Sequence, residues 1–235
     1  EIGYYLGYRR TIANWTAEQA ATVTSVLKSG LRQFYLPEPL PGESVSHLWS
    51  FLKPLGTLIA WAGLEPVATT TCTGVVASGN TTLTASTACF YPSMVGHDLS
   101  ITGVSGTWRI LSYTSATVVV VAGSVPSPTT PRTFFMAADG NYTLPDDFGS
   151  FDSVLTLETP ELGGVIPITG ESIIRQRRQQ SAATGRPTLA AIVFRSSTPS
   201  SGAGAGAGGQ RQQLMLYPTP ETNYTLGYRY RVIPD

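Results

Sequence analysis

From Tyr224 to Val232 apolar and polar positions alternate. Tyr224, Leu226, Tyr228, Tyr230 and Val232 fall on one side of an extended backbone, and Arg229 and Arg231 on the other. Successive side chains of a strand point to opposite faces, so this period predicts a strand with one aromatic face and one guanidinium face. The apolar run Leu214–Tyr217 precedes it, with Pro218 and Pro220 between, so 214–232 reads as two strands joined by a turn, a hairpin that completes a sheet. No acid, base or nucleophile set sits among these side chains. Such a stretch suits a surface that holds something and suits catalysis poorly.

Near the start the period changes. Thr16-Ala-Glu-Gln19 reads as a capping box, and Ala17, Ala20, Ala21, Thr24, Leu27 and Leu31 recur at helical spacing, with Trp15 at the entrance and Gly30 near the expected end. Pro37, Pro39, Pro41 and Gly42 then break the chain. His47, Trp49 and Phe51 alternate with Leu48, Ser50 and Leu52, which predicts a strand, and Thr57–Trp61 predicts another.

Residues 69–130 differ in kind: Asp98 and Arg109 are the only charges, amid Thr, Ser, Gly and Val. Five β-prone runs (Gly74–Val76, Thr81–Ala85, Asp98–Thr102, Thr107–Ser112 and Thr117–Val121) are separated by turn residues. That rhythm predicts a small antiparallel barrel or sandwich. It is inserted into a host domain made of 1–68 and 131–235, since a long insertion adds little to loop-closure cost. In the host, 141–148 is a strand end and a turn, and Ser153–Glu158 a strand. Thr169 caps a helix reaching about Gln180, anchored by Ile173 and Ile174 and ended by Gly185-Arg-Pro187. Ala190–Arg195 is a strand, and Ser200–Gly209 a low-complexity Gly-Ala loop. The expected class is α+β, mostly β.

Composition adds a statement about the surface. Only 13% of the 235 residues are charged and the formal net charge is zero, so no global field draws the chain to nucleic acid or membrane. Of fifteen basic residues only Lys28 and Lys53 are lysines, and there are eleven tyrosines. Interfaces favour Arg and Tyr over Lys, so partner chains are expected to cover much of the surface; a secreted domain with a Ser/Thr surface is the other reading. Val118–Val121 is far too short to span a membrane, and nothing marks a signal peptide. Residues 131–169 carry Asp139, Asp146, Asp147, Asp152, Glu158 and Glu161 against Arg132, whereas 170–235 carry eight arginines against three acids. The two stretches neutralise each other within one fold, or meet between copies in a head-to-tail ring.

Candidate chemistry is sparse. Neither His47 nor His97 has a second ligand at metal spacing, and Cys72 and Cys89 form either a disulfide or two small apolar positions. The glycines of 202–209 precede a strand, without the Lys of a phosphate loop. Asp146 and Asp147 point apart on an extended chain and read as a solvated acidic turn. No nucleophile elbow is present, and no cofactor is expected. Arg175, Arg177 and Arg178 form the one basic cluster, with Arg175 and Arg178 on one helix face; they suit non-specific contact with duplex DNA or a subunit interface.

The order of Trp15-Thr-Ala-Glu-Gln, His47–Leu52, Leu144-Pro-Asp-Asp-Phe148, Ile168–Ser172, Gly185-Arg-Pro187 and Leu216-Tyr-Pro-Thr-Pro220 followed by Tyr228-Arg-Tyr230 resembles the head-to-tail connector (adaptor or neck) proteins of tailed bacteriophages. The resemblance covers the host part. It implies a non-enzymatic virion protein made in the host cytoplasm. The protein forms a homo-oligomeric ring of about twelve copies in the neck, between the portal and the tail or nozzle proteins, around the DNA exit channel. Tyr224, Tyr228, Tyr230, Arg229 and Arg231 are then expected in sheet packing and inter-subunit contacts, and Arg175, Arg177 and Arg178 at the channel wall or the portal. The alternatives are a tail terminator or tail-tube subunit, and a carbohydrate-binding module using a surface Trp108.

Overall fold

The computed structural model describes residues 2–9, 11–39, 41–42, 49–64, 71–76, 80–123, 125, 132–158, 164–195 and 211–233. Helices α1 (Ile2–Tyr5) and α2 (Ala17–Tyr35) come first, followed by strands β1 (Leu55–Ala60), β2 (Gly63–Leu64), β3 (Thr71–Val76), β4 (Asn80–Ala85), β5 (Asp98–Ile101), β6 (Thr107–Ser115), β7 (Val118–Ala122) and β8 (Arg132–Ala137). Then come β9 (Asn141–Thr143), β10 (Phe148–Phe151), β11 (Leu155–Leu157), β12 (Val165–Ile166), helix α3 (Glu171–Gln180), β13 (Leu189–Arg195), β14 (Arg211–Tyr217) and β15 (Tyr224–Val232). The class is α+β and mostly β, with antiparallel sheets.

Helix α2 begins as its sequence requires. Thr16 Oγ1 accepts from the Gln19 backbone N–H, and the Gln19 side chain accepts from the Thr16 N–H. Gly30 does not end it; the helix runs on to Tyr35, just before Pro37. Trp49 donates to the Phe34 carbonyl at 2.7 Å and stacks on the Phe34 ring, fixing the next segment against the helix end. There Ser50–Leu52 is a 3₁₀ turn and not a strand, with the Trp49 and Phe51 rings stacked on each other. His47 and Leu48 lie outside the described residues. Replacing Thr16 by alanine is expected to destabilise α2 by about 1 kcal/mol, seen as faster amide exchange in its first turn. Unchanged exchange there would show that neighbours, not the cap, hold the helix start.

All five runs predicted between 69 and 130 form strands. Antiparallel pairing runs in a closed cycle, β8–β3–β4–β7–β6–β5 and back to β8 through Ser100↔Phe135 and Ile101↔Phe134. The closing strand β8 lies beyond residue 130, and β2, before 69, pairs with its far end. Phe134 and Met136 point inward on β8, with Phe134 stacked on Phe90 at 5.2 Å. Trp108 faces the same interior beside Ile110 and is 8% exposed, so it is not the surface tryptophan expected of a glycan reader.

The host strands form two sheets. In the first, β15 pairs with β1, β11 and β10, and β12 follows β11. In the second the order is β13–β14–β9, with α3 packed on β13 and β14 through Ile174 against Ala191 and Met215. The last two strands are therefore not a paired hairpin: β14 belongs to one sheet and β15 to the other. The turn chemistry of Pro218 and Pro220 redirects the chain without joining its two arms.

Helix α3 starts at Gly170 with no side-chain cap, because Thr169 Oγ1 donates instead to the Ala190 carbonyl at 3.3 Å. Ile174 is its only buried anchor, with Ile173 45% exposed, and the helix stops at Ser181, before Gly185. One continuous core joins the sheets: Leu58, Trp61, Tyr142, Leu226 and Tyr228 of the host meet Leu83, Phe90 and Trp108 of the strand cycle.

Candidate functional site

Strand β15 separates two chemically different faces. Tyr224, Leu226, Tyr228 and Tyr230 are buried along it, and Arg229 and Arg231 are exposed. The aromatic face is the chain's own interior. Tyr228 packs edge-on to Phe151 at 5.3 Å, and Tyr230 stacks on Phe148 at 5.5 Å. Gly56 lies opposite Tyr228, and a Cβ there would come within 2.9 Å of the phenol ring. Tyr230 donates to the Asp147 carboxylate at 3.3 Å. These tyrosines serve the sheet packing expected of them, and their burial leaves little of their surface to meet a second copy.

Burial raises the Tyr228 phenol well above its ordinary value, helped by Tyr230 and Asp147, and burial against Trp61 does the same to Tyr142. A phenol raised in the folded state favours folding below its unfolded value of 10.0, and that contribution is lost as pH rises beyond it. Tyrosinate absorbance from these two rings is therefore expected to appear only together with unfolding in an alkaline titration. Ionisation in the still-folded protein would contradict their burial.

The outer face of the same sheet is polar and open. Asp152 accepts from Arg231 Nε at 3.0 Å and pairs with Lys53 Nζ at 3.1 Å, and these two cations hold its carboxyl below the usual range. Arg229 stands across from Leu55 in the ladder; its backbone N–H donates to Ser153 Oγ, and its exposed guanidinium has no hydrogen-bond or ion-pair partner among the described residues. Leu55 (76% exposed), Val154 and Val165 flank these charges, and the Glu158 carboxylate lies over Gly227.

The three helix arginines part company. Arg178 turns inward with Ile174: its Nη1 donates to Asn141 Oδ1 at 3.1 Å, and its Nη2 to the carbonyls of Gly140 at 2.9 Å and Leu216 at 2.8 Å. Burial lowers its pKa, with Asp139 and Tyr142 opposing. It ties α3 to β9 and β14, so its guanidinium is already spent within the chain rather than displayed at a channel wall or portal. Arg175 pairs with Glu171 one turn earlier, and Arg177 is exposed. Arg175 and Arg178 thus do not share an environment.

A polar chain that the sequence did not show continues from Arg178. Asn141 donates its backbone and side-chain N–H groups to Asp139 at 2.9 Å each, and Asp139 Oδ1 lies 3.3 Å from Nε2 of the buried His97. Burial alone would raise the Asp139 carboxyl, but His97 and Asn141 outweigh it and the net shift is downward. His97 and Asp139 are far apart in sequence, and only the closing of the strand cycle brings them together. Among the described residues no cluster of three or more His, Cys, Asp or Glu is arranged to hold a metal, and no helix is long and apolar enough to cross a membrane. A cleft of about 530 Å³ lies between the inner face of the β15 sheet and the strand cycle, lined by Leu58, Ser93, Leu111, Tyr113, Leu144 and Tyr228, with Asp146 also on its wall.

Comparison with family models, with curated proteins and with solved structures finds no match to this chain.

Proposed function

We propose that the protein is a structural subunit of a bacteriophage neck, a non-enzymatic ring that joins the portal to the tail around the exiting genome. The carrying observation is α2. Over 19 residues it buries only Val23, while Val26, Leu27, Leu31 and Phe34 stand 43%, 46%, 44% and 53% exposed. Helices in proteins draw most of their stability from packing an apolar face, so the missing half of this contact belongs to another chain. The Arg- and Tyr-rich, Lys-poor composition supports the same reading, since it is the composition of covered surface. A glycan-binding module loses its support with Trp108 in the core.

Native mass measurement with and without portal protein tests the proposal, together with micrographs of particles assembled without this chain. A closed ring, alone or on the portal, is expected, as are filled heads that lose DNA and acquire no tail. A chain that stays single-copy and joins neither portal nor tail refutes it.

A further inference from the structure

We propose that the outer face of the β15 sheet, at Lys53, Arg229 and Arg231, receives the acidic turn Pro145–Asp147 of a second copy. This rests on the ring reading and names the two surfaces that meet.

The turn is closed by the Phe148 N–H to the Pro145 carbonyl at 3.0 Å, and Pro145, Asp146 and Asp147 are all exposed. It sits on the inner side of the sheet, since Tyr230, which points inward, reaches Asp147, and Asp146 lines the inner cleft. Arg229 and Arg231 point the other way along the same strand. One sheet therefore shows carboxylates on one side and guanidinium groups on the other. Two different patches that complement each other make a heterologous, head-to-tail contact, the kind that closes into a ring.

The receiving face is built for a carboxylate-bearing protein. Lys53, Arg229 and Arg231 against Asp152 leave two positive charges at that end, while Glu158 lies further along, over Gly227. Arg229 offers a planar fork of N–H donors that matches a carboxylate. Exposed Leu55, Val154 and Val165 border the charges, an apolar margin that protein can cover and phosphate cannot.

The test is a charge swap read by sedimentation at several protein concentrations. Asp146→Lys with Asp147→Lys, and separately Arg229→Glu with Arg231→Glu, are each expected to weaken self-association about a hundredfold, because like charges then face each other. All four changes in one chain, or an equal mixture of the two double variants, are expected to restore it. Asp146→Lys alone, which leaves the Tyr230–Asp147 bond in place, and circular dichroism of every variant separate a lost contact from a lost fold. Added salt is expected to loosen the wild-type ring. A wild-type ring that every swapped variant also forms overturns this contact and leaves the ring reading standing. Swapped variants that lose duplex-DNA binding but still form rings overturn it equally, and assign the face to the genome. A wild-type chain that never associates removes both readings.

Discussion

Tyr142→Ala is expected to cost about 3–5 kcal/mol of folding stability, the range for deleting a large buried ring. Tyr142 is 0% exposed; its ring meets Trp61 edge-on at 5.6 Å, and its hydroxyl donates to the Trp61 carbonyl at 2.9 Å. Trp61 is itself fully buried and stands perpendicular to His97 at 5.2 Å. These three groups come from β9, from the end of β1 and from the approach to β5, so one cavity would loosen both host sheets and the strand cycle. Domains typically hold about 5–15 kcal/mol in total, so urea unfolding of the variant should begin at very low denaturant. Tyr142→Phe keeps the ring and removes only the donor, leaving the Trp61 carbonyl bare at a cost of about 1–3 kcal/mol. An alanine variant as stable as the parent would mean that the neighbours collapse into the space.

The second large effect is expected at Arg178, where methionine should cost about 2–4 kcal/mol, the scale of losing charge-assisted hydrogen bonds whose partners stay in place. Gly140, at φ +71°, shows why these partners depend on one another. A Cβ there would come within 2.5 Å of Arg178 Nη2 and 3.2 Å of the Leu216 carbonyl, so the bend and the guanidinium fit only together. Lysine is not expected to rescue the site, because a single ammonium cannot reproduce the fork that spans Asn141, Gly140 and Leu216. Thermal melting would report the loss, and amide exchange would place it in α3. If the lysine variant melts with the parent, positive charge is what matters there and the fork geometry is not.

Strand β15 was legible in the sequence because a strand with one covered face must alternate, and its tyrosines and arginines obey that rule without exception. The Thr16 cap and the five runs between 69 and 130 were legible for the same reason, since each signal lies within a few residues. What failed was long-range. The proline turn after Tyr217 is a local hairpin signal, whereas the partners of β15 are chosen by β1, β10 and β11, far away along the chain. The pairing of β8 with β3 and β5 was not legible either, because those partners lie some thirty to sixty residues away along the chain. Arg178 looked like one of three neighbours in a basic cluster. Ile174, one turn earlier and fully buried, was the signal that its side of the helix faces inward. The pairing of His97 with Asp139 left no local trace.

The central place of β15 has a consequence for how the molecule is made. Leu55–Ala60 and Phe148–Leu157 have no common neighbour until Tyr224–Val232 leaves the ribosome. The strand cycle, complete by Ala137, can close while synthesis continues, but the first host sheet must wait for its keystone. Until then nascent chains carry open strand edges, so a stalled or shortened product is the species most exposed to aggregation in the producing cell.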